Sequence, residues 1–241
     1  MFEKFTYNHR AAKVFDCRIS ELHMRSVFVP SKKVVYVCNP KVAGSSIIQS
    51  LLRIDDDAPP TALEDHNTPE ARTKISSRRA PRAFWECLND PSAFRFAFVR
   101  NPYARILSCY RDKIESGREP RFLTYIGISD GRTPSLLEFL QQVQKQAPKS
   151  MNRHWMPQSR LIPALVDLSM LGRFENLEED LLALAQQLGL DAKEVQRVDP
   201  HKTNTGNTYR LSAAEVDLVH QIYGEDFERF GYERMSRAVD A

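Results

Sequence analysis

The chain has 241 residues, of which 42% are hydrophobic and 27% are charged, a composition typical of a globular protein with one sizeable core. Its 34 Lys and Arg against 31 Asp and Glu leave a formal charge of +3, which is too small to indicate a nucleic-acid partner. No apolar run approaches the roughly 20 residues that cross a bilayer, and no export signal is visible, so we expect no transmembrane segment and a cytoplasmic location. The four cysteines form no CxxC pair, which favours buried thiols over a zinc site or a disulfide framework.

Two strand-loop-helix units are predicted in the first half of the chain. Residues 34–38, VVYVC, form a β-branched strand, and Gly44 opens an amphipathic helix that runs to Ile54. The second unit has a strand over 94–99, a break at Arg100-Asn101-Pro102 and a helix over 103–116. Residues 53–82 between the units are predicted to be an irregular insertion. Its basic residues would attract an anionic glycan or simply form a solvated charge run; they are Arg72, Lys74, Arg78, Arg79 and Arg82.

The second half of the chain continues the alternation of strands and helices. Ser135 to Glu138 and Ser212 to Glu215 are capping boxes that open helices, and a strand over 170–174 precedes a helix over 177–188. This order predicts an α/β fold, a single domain with a mainly parallel sheet flanked by helices. Because ligands bind beyond the carboxyl ends of parallel strands, the loops 39–46 and 100–103 are expected to converge on one site.

The first of these loops has the residues of an anion site. The loop lies between a buried strand and a helix N-terminus, where free backbone N–H groups attract negative charge. Its candidate binding residues are Lys41, Val42, Ala43, Gly44, Ser45 and Ser46. Lys41 precedes Gly44, whereas the lysine of an ATP-binding P-loop follows its glycine. A P-loop enzyme also needs an acidic residue near a strand end to hold magnesium, and Asp167 is only a weak candidate for it. A metal-free anion site therefore fits better. The alternative is a plain strand-to-helix connection with an exposed lysine and capping serines.

The second loop also carries residues that suit an anion. Arg100 ends the strand over 94–99 with a planar five-donor group that matches a phosphate. Ser108 lies about two turns into the next helix, outside its apolar set, and can therefore face the crevice. The alternative for this pair is a salt bridge and a helix-surface hydroxyl.

The paired segments YVCNPKVAGSSI and FRFAFVRNPYARILSCYRDKI resemble the two cofactor-binding segments of sulfotransferases that use 3′-phosphoadenosine 5′-phosphosulfate. Within these, the chain most resembles the carbohydrate sulfotransferases of the chondroitin, dermatan and HNK-1 type, although Gly44-Ser45-Ser46 is more similar to the uronyl 2-O-sulfotransferases. The similarity continues through NRHWMPQSRL, GRFENLEEDL and IYGEDFERFGY. It implies a P-loop-like sulfotransferase fold over 34–233, preceded by an N-terminal extension, 1–33, packed on the domain and followed by a tail, 234–241. Eukaryotic members differ in having a membrane anchor, and a Cys where this chain has Leu161-Ile162.

The resemblance also implies an activity and its donor-binding residues. The enzyme would move a sulfuryl group from 3′-phosphoadenosine 5′-phosphosulfate, without a metal, to an acceptor hydroxyl of a glycan or glycolipid. Lys41, with the loop amides and serines, would meet the oxygen on which negative charge grows as the nucleotide departs. The 3′-phosphate is assigned to Arg100 and Ser108, and the late loop over 201–206 would close over the nucleotide through Lys202 and Thr203.

A general base would help the weakly nucleophilic sugar hydroxyl. His66, at the place where the family has a histidine, ranks first, and His154 ranks second, with a possible role in orienting the acceptor; Glu64 and Asp65 remain alternatives. Glu175 is expected to support the site, and Trp85 and Trp155 would stack on sugar rings or belong to the core. Two other functions stay open: a magnesium-dependent nucleotide kinase or NTPase, and a non-catalytic protein that binds anions or RNA.

Overall fold

The computed structural model describes Leu22 and residues 26–55, 81–164, 166–191 and 210–236. The chain divides into two compact units, the first made of residues 1–99 and 160–198 and the second of residues 100–159 and 199–241. The strands in chain order are β1 Val27–Val29, β2 Val34–Val37, β3 Phe94–Val99 and β4 Met170–Arg173. The helices in chain order are α1 Gly44–Ile54, α2 Pro81–Asn89, α3 Pro102–Tyr110, α4 Arg121–Tyr125, α5 Leu136–Gln144, α6 Gln158–Leu161, α7 Leu177–Leu188 and α8 Ala213–Phe230.

The first unit contains a four-stranded sheet with the order β1-β2-β3-β4. Strands β2, β3 and β4 are parallel neighbours, and β1 pairs antiparallel with β2. The mainly parallel sheet predicted from the sequence is therefore confirmed. Strand β1 is an addition that residue patterning does not predict, because three residues are too few to show an alternating period.

Helices cover both faces of this sheet. Tyr36, Phe96 and Phe98 point to one face and join a buried cluster with the apolar sides of α1 and α7. Phe28 points to the opposite face, where its ring meets the edge of Phe84 in α2 at a centroid distance of 6.1 Å. The predicted flanking helices are confirmed, although α2 itself has no signal in the sequence analysis. Between β2 and β3, the parallel pairing places their carboxyl ends at the same edge of the sheet.

The second unit is helical. Its core lies between α3, α5 and α8, and Trp155 is fully buried in it, with the indole N–H donating to Gln146 Oε1 at 2.9 Å. Trp155 is thus a core residue and not a sugar-stacking surface. Both predicted capping boxes are present, with Ser135 and Ser212 accepting from the backbone N–H groups of Glu138 and Glu215.

Some local predictions need correction. The helix predicted over 103–116 is α-helical only to Tyr110 and continues as one π-helical turn, Arg111–Glu115. Sequence periodicity does not separate these helix types, since the apolar spacing of one π turn is close to that of an α turn. Of the three described cysteines, Cys87 and Cys109 are buried and Cys38 is partly buried. Among the helices that the structure describes, none is long and apolar enough to span a membrane.

Candidate active site

The loop after β2 begins with a buried hydrogen bond to β3. Asn39 is 1% exposed, and its Nδ2 donates to the carbonyl oxygen of Phe98 at 3.0 Å. Beyond this anchor, Lys41 and Ala43 adopt left-handed backbone conformations, with φ of 72° and 61°. That conformation costs a non-glycine residue about 1 kcal/mol. Two such residues in one short loop are local backbone strain, a feature that is common at functional sites.

Helix α1 starts at this loop without the usual N-terminal cap. Ala43 occupies the N-cap position and has no side-chain oxygen, and the first turn contains no acidic residue. By contrast, α3, α5 and α8 are capped by the side chains of Asn101, Ser135 and Ser212. The partial positive charge of the α1 N-terminus is therefore not balanced by a neighbouring side chain of its own first turn. This is the local arrangement that suits an anion.

The side chains predicted for this anion site have different exposures. Lys41, Ala43 and Gly44 are partly exposed and Ser45 is exposed, whereas Val42 is fully buried and Ser46 is 4% exposed. Val42 therefore anchors the loop and can offer a ligand only its backbone. Packing against the described residues does not require Gly44, because among them an added Cβ would approach only the Tyr36 hydroxyl, at 3.7 Å. Burial raises the pKa of Tyr36 well above its usual range, so this phenol beneath Gly44 stays protonated.

Arg100 follows β3 directly and is the first residue of the second unit. Asn101 accepts from the backbone N–H of Tyr103 at 3.0 Å and thereby caps α3. Ser108 lies in the second turn of α3 and is 7% exposed. The predicted convergence of the two loops on one site stays a prediction, since Lys41 and Arg100 belong to different compact units.

His154 is oriented by its neighbours in the second unit. Its Nδ1 lies 2.7 Å from Asn152 Oδ1, which also accepts the backbone N–H of His154 at 3.1 Å. An amide oxygen only accepts, so the contact assigns the proton of the neutral ring to Nδ1 and the lone pair to Nε2. The imidazole and the Phe122 ring pack edge to face at a centroid distance of 5.3 Å. This half-buried imidazole has the tautomer and fixed orientation that a proton acceptor needs.

A buried arginine holds the segment that carries His154. Arg105 is 1% exposed, and its guanidinium donates to the carbonyl oxygens of Met156 at 2.9 Å and Arg153 at 3.3 Å. Burial lowers the pKa of Arg105, while Tyr223 and Asp226 oppose this shift. Sequence analysis misses this role, because Arg105 lies next to the apolar stripe of α3 and its two partners are about fifty residues away along the chain.

Several predicted residues lie outside the described part of the chain: Glu64, Asp65, His66, the basic residues 72–79, Lys202 and Thr203. Arg82, the last of the basic run, is exposed and pairs with Glu86 at 2.7 Å. Glu175 and Asp167 are exposed, and the Asp167 carbonyl oxygen accepts from Arg95 Nε at 2.6 Å. Within the described ranges, no group of three or more His, Cys, Asp or Glu residues is arranged to hold a metal.

Comparison with known proteins places the chain among related sequences. It is 26% identical over 167 residues to carbohydrate sulfotransferase 12 of Xenopus laevis, a match that covers 57% of this chain and 40% of the relative. It is 36% identical over 99 residues to carbohydrate sulfotransferase 14 of Mus musculus, covering 36% of this chain and 26% of the relative. It is 29% identical over 246 residues to carbohydrate sulfotransferase 8 of Homo sapiens, covering 90% of this chain and 57% of the relative.

The chain thus spans about half, or less, of the length of these curated relatives. No solved structure matches it significantly. The model of the family described as "Sulfotransferase family" matches residues 24–233, a range that includes parts of both compact units and begins before β1. Since this match covers most of the sequence, the chain belongs to the sulfotransferase family.

Proposed function

We propose that the chain transfers a sulfuryl group from 3′-phosphoadenosine 5′-phosphosulfate to a hydroxyl group of a carbohydrate. Membership in the sulfotransferase family supports the reaction, and the matched relatives, named as carbohydrate sulfotransferases, support the acceptor class. The observation that carries the proposal is the loop after β2. There two left-handed residues, Lys41 and Ala43, lead into a helix N-terminus whose N-cap residue, Ala43, has no side-chain oxygen.

Lys41 is proposed to stabilise the leaving group. As the acceptor oxygen bonds to sulfur, the bond between sulfur and the bridging oxygen breaks, and its electron pair stays on the departing adenosine 3′,5′-bisphosphate. The ammonium group of Lys41 and the backbone N–H groups at the start of α1 would balance the charge that develops on that oxygen. The exposed hydroxyl of Ser45 can add a hydrogen bond, while Ser46, being buried, contributes through its backbone.

The 3′-phosphate is proposed to bind to Arg100 and Ser108, with Lys202 and Thr203 closing over the nucleotide. Arg100 offers a charged planar donor group, and such groups bind phosphate through two parallel hydrogen bonds. These contacts would favour the bisphosphate nucleotide over ATP, which lacks a 3′-phosphate. The support for this assignment is the resemblance of the segment that carries Arg100 and Ser108 to the second cofactor-binding segment of the family.

The base that takes the acceptor proton is proposed to be His66, with His154 as the alternative. The tautomer fixed by Asn152 supports His154, because Nε2 of the neutral ring carries the lone pair that a base uses. His66 keeps its place through the resemblance alone. Glu64 and Asp65 are further candidates beside it.

Nucleotide selectivity tests the proposed reaction. Purified protein is mixed with adenosine 3′,5′-bisphosphate, with ATP plus magnesium, or with RNA over a salt series, and its melting temperature is measured. We expect a large upward shift with the bisphosphate alone, because a ligand that binds only the folded state stabilises it. A preference for ATP plus magnesium would indicate a kinase or NTPase. Binding of RNA with a steep salt dependence and no effect of the bisphosphate would indicate a nucleic-acid binder.

Variants then separate the proposed roles. Lys41→Ala should reduce turnover far more than affinity for the bisphosphate, whereas Arg100→Ala should weaken that affinity. His66→Ala and His154→Ala are compared in a transfer assay with a panel of glycans, lipids and small alcohols. The variant of the true base should lose turnover and keep nucleotide binding. Full activity of both would leave a carboxylate such as Glu64 as the base.

A further inference from the structure

We propose that Gln158 is a positioning residue that fixes Arg100 for recognition of the 3′-phosphate. The inference rests on the proposed function, since it gives Arg100 the same ligand. It concerns a residue of the second unit that has no anion chemistry of its own and that the sequence analysis does not single out.

The carboxamide of Gln158 binds both backbone polar groups of Arg100. Its Oε1 accepts from the Arg100 N–H at 3.0 Å, and its Nε2 donates to the Arg100 carbonyl oxygen at 2.8 Å. Gln158 is fully buried. A buried carboxamide with both ends engaged by one residue holds that peptide segment in a single orientation, because each alternative would leave a buried polar group without its partner.

Arg100 needs this support because of its place in the chain. Strand β3 ends at Val99, and α3 begins at Pro102 with Asn101 as its cap, so Arg100 lies in neither element. Regular secondary structure therefore does not determine the direction of its backbone. Gln158 supplies a partner for each of its two backbone groups.

Gln158 is held in turn by Asp226. The two carboxylate oxygens of Asp226 accept from the backbone N–H groups of Gln158 at 2.8 Å and Ser159 at 2.7 Å. Asp226 is fully buried and lies in the part of α8 that follows a kink at Tyr223, so the start of α6 is tied to that helical segment. The chain of contacts from Asp226 through Gln158 to Arg100 lies entirely within the second unit.

This arrangement predicts an effect that depends on the 3′-phosphate. A guanidinium group binds phosphate well only when its planar donors point at the oxygens, and the loss of one hydrogen bond to a charged group reduces affinity by about tenfold or more. Loss of the Gln158 carboxamide should therefore weaken ligands that carry a 3′-phosphate. It should leave ligands without that group nearly unaffected.

The test measures affinities of the full chain for adenosine 3′,5′-bisphosphate and adenosine 5′-phosphate by titration calorimetry. In Gln158→Leu we expect the bisphosphate to bind about tenfold or more weakly, and the monophosphate to stay within about twofold. Correspondingly, KM for the donor should rise, while kcat changes less. Gln221→Leu is the matched control, since Gln221 is an exposed residue of α8 that contacts Gln144 and should alter neither affinity.

The outcomes separate this inference from the proposed function. If the unchanged protein itself does not prefer the bisphosphate, the proposed function is wrong. If it does prefer the bisphosphate and Gln158→Leu keeps the full preference, or weakens both nucleotides equally, the positioning role is wrong. In an Arg100→Ala background, Gln158→Leu should produce no further loss of preference, and a further loss of the same size would also overturn the role.

A second variant, Gln158→Glu, tests the same role if Gln158→Leu does not fold. Gln158→Glu keeps the size of the side chain and the acceptor for the Arg100 N–H, but it cannot donate to the Arg100 carbonyl oxygen when ionised. We expect a smaller loss of bisphosphate preference than in Gln158→Leu, of about three- to tenfold. An unchanged preference in this folded variant would contradict the positioning role.

Discussion

Gly172 is the position at which a single methyl group should disturb both the fold and the loop over residues 39–46, which is proposed to bind the donor and is called the anion loop below. Gly172 of β4 is the direct register partner of Phe98 in β3. An added Cβ would lie 2.4, 2.6 and 2.7 Å from the Cε1, Cζ and Cδ1 atoms of that ring. Phe98 is fully buried and meets the edge of Phe96 at a centroid distance of 6.3 Å, so its ring has little room to move away.

The size of the effect follows from this overlap. Ordinary carbon contacts are about 3.5–4.0 Å, so three ring atoms are roughly 1 Å too close to the new methyl group. Overpacking of a core typically destabilises by about 1–3 kcal/mol, and we expect the upper end for Gly172→Ala because the neighbour is a rigid aromatic ring. The carbonyl oxygen of Phe98 also accepts from Asn39, so a shift of Phe98 should loosen the anion loop and weaken nucleotide binding.

Urea unfolding followed by circular dichroism measures this loss of stability. Gly224→Ala is the matched control, because among the described residues a Cβ there approaches only the end of the Arg234 side chain, at 3.6 Å. Gly224 follows the non-helical Tyr223 at the kink of α8, so we expect a change of less than about 1 kcal/mol in either direction. The double variant with Gly172→Ala and Phe98→Leu should lose less unfolding free energy than the two single variants lose together. We expect this difference to be at least about 1 kcal/mol.

A loss of less than about 0.5 kcal/mol of unfolding free energy in Gly172→Ala would contradict the overlap, since that is the range of ordinary surface substitutions. Additive losses in the double variant would show that the overlap does not involve the Phe98 ring. A stability loss with unchanged affinity for adenosine 3′,5′-bisphosphate would refute only the link to the anion loop.

Three further predictions concern single contacts. Asn39→Ala should lower the unfolding free energy by about 1–2 kcal/mol in urea titrations, because the buried Phe98 carbonyl loses its donor; an unchanged value would show that the loop does not need this bond. Burial raises the pKa of Asp226, so the folded state holds its proton to higher pH than the unfolded chain, and this contribution to stability is lost as pH rises through the folded pKa. Between about pH 4 and 7, the unfolding free energy of the unchanged protein should contain a fall caused by Asp226, and that of Asp226→Asn should lack this fall. Identical pH profiles of the two proteins in unfolding titrations would contradict the raised pKa of Asp226. Ser212→Ala should lower the unfolding free energy by about 1 kcal/mol, because α8 loses its N-terminal cap, and should lower the melting temperature by about 2–4 °C. An unchanged melting temperature would show that Glu215 alone stabilises the start of the helix.

Much of the fold can be predicted from local patterns. Strand β3 and helix α7 occur with the predicted bounds, β2 and β4 differ by one residue at their ends, and both capping boxes form as the spacing of Ser and Glu requires. These features depend on side-chain period and on hydrogen bonds between residues three positions apart. Both are visible in a short stretch of sequence.

The sequence by itself determined the three parallel strands β2, β3 and β4, the helices α1 and α7 and the loop after β2, because each follows from neighbouring residues, whereas β1 and α2 have no such local signal. Only the tertiary structure decided what holds the loops: Asn39 bonds to Phe98 across 59 positions, and Gln158 bonds to Arg100 across 58. It also decided that Gly172 must stay small, since the ring against it comes from another strand. Such partners are chosen by the packing of distant segments, and no local period records which buried donor will meet which acceptor.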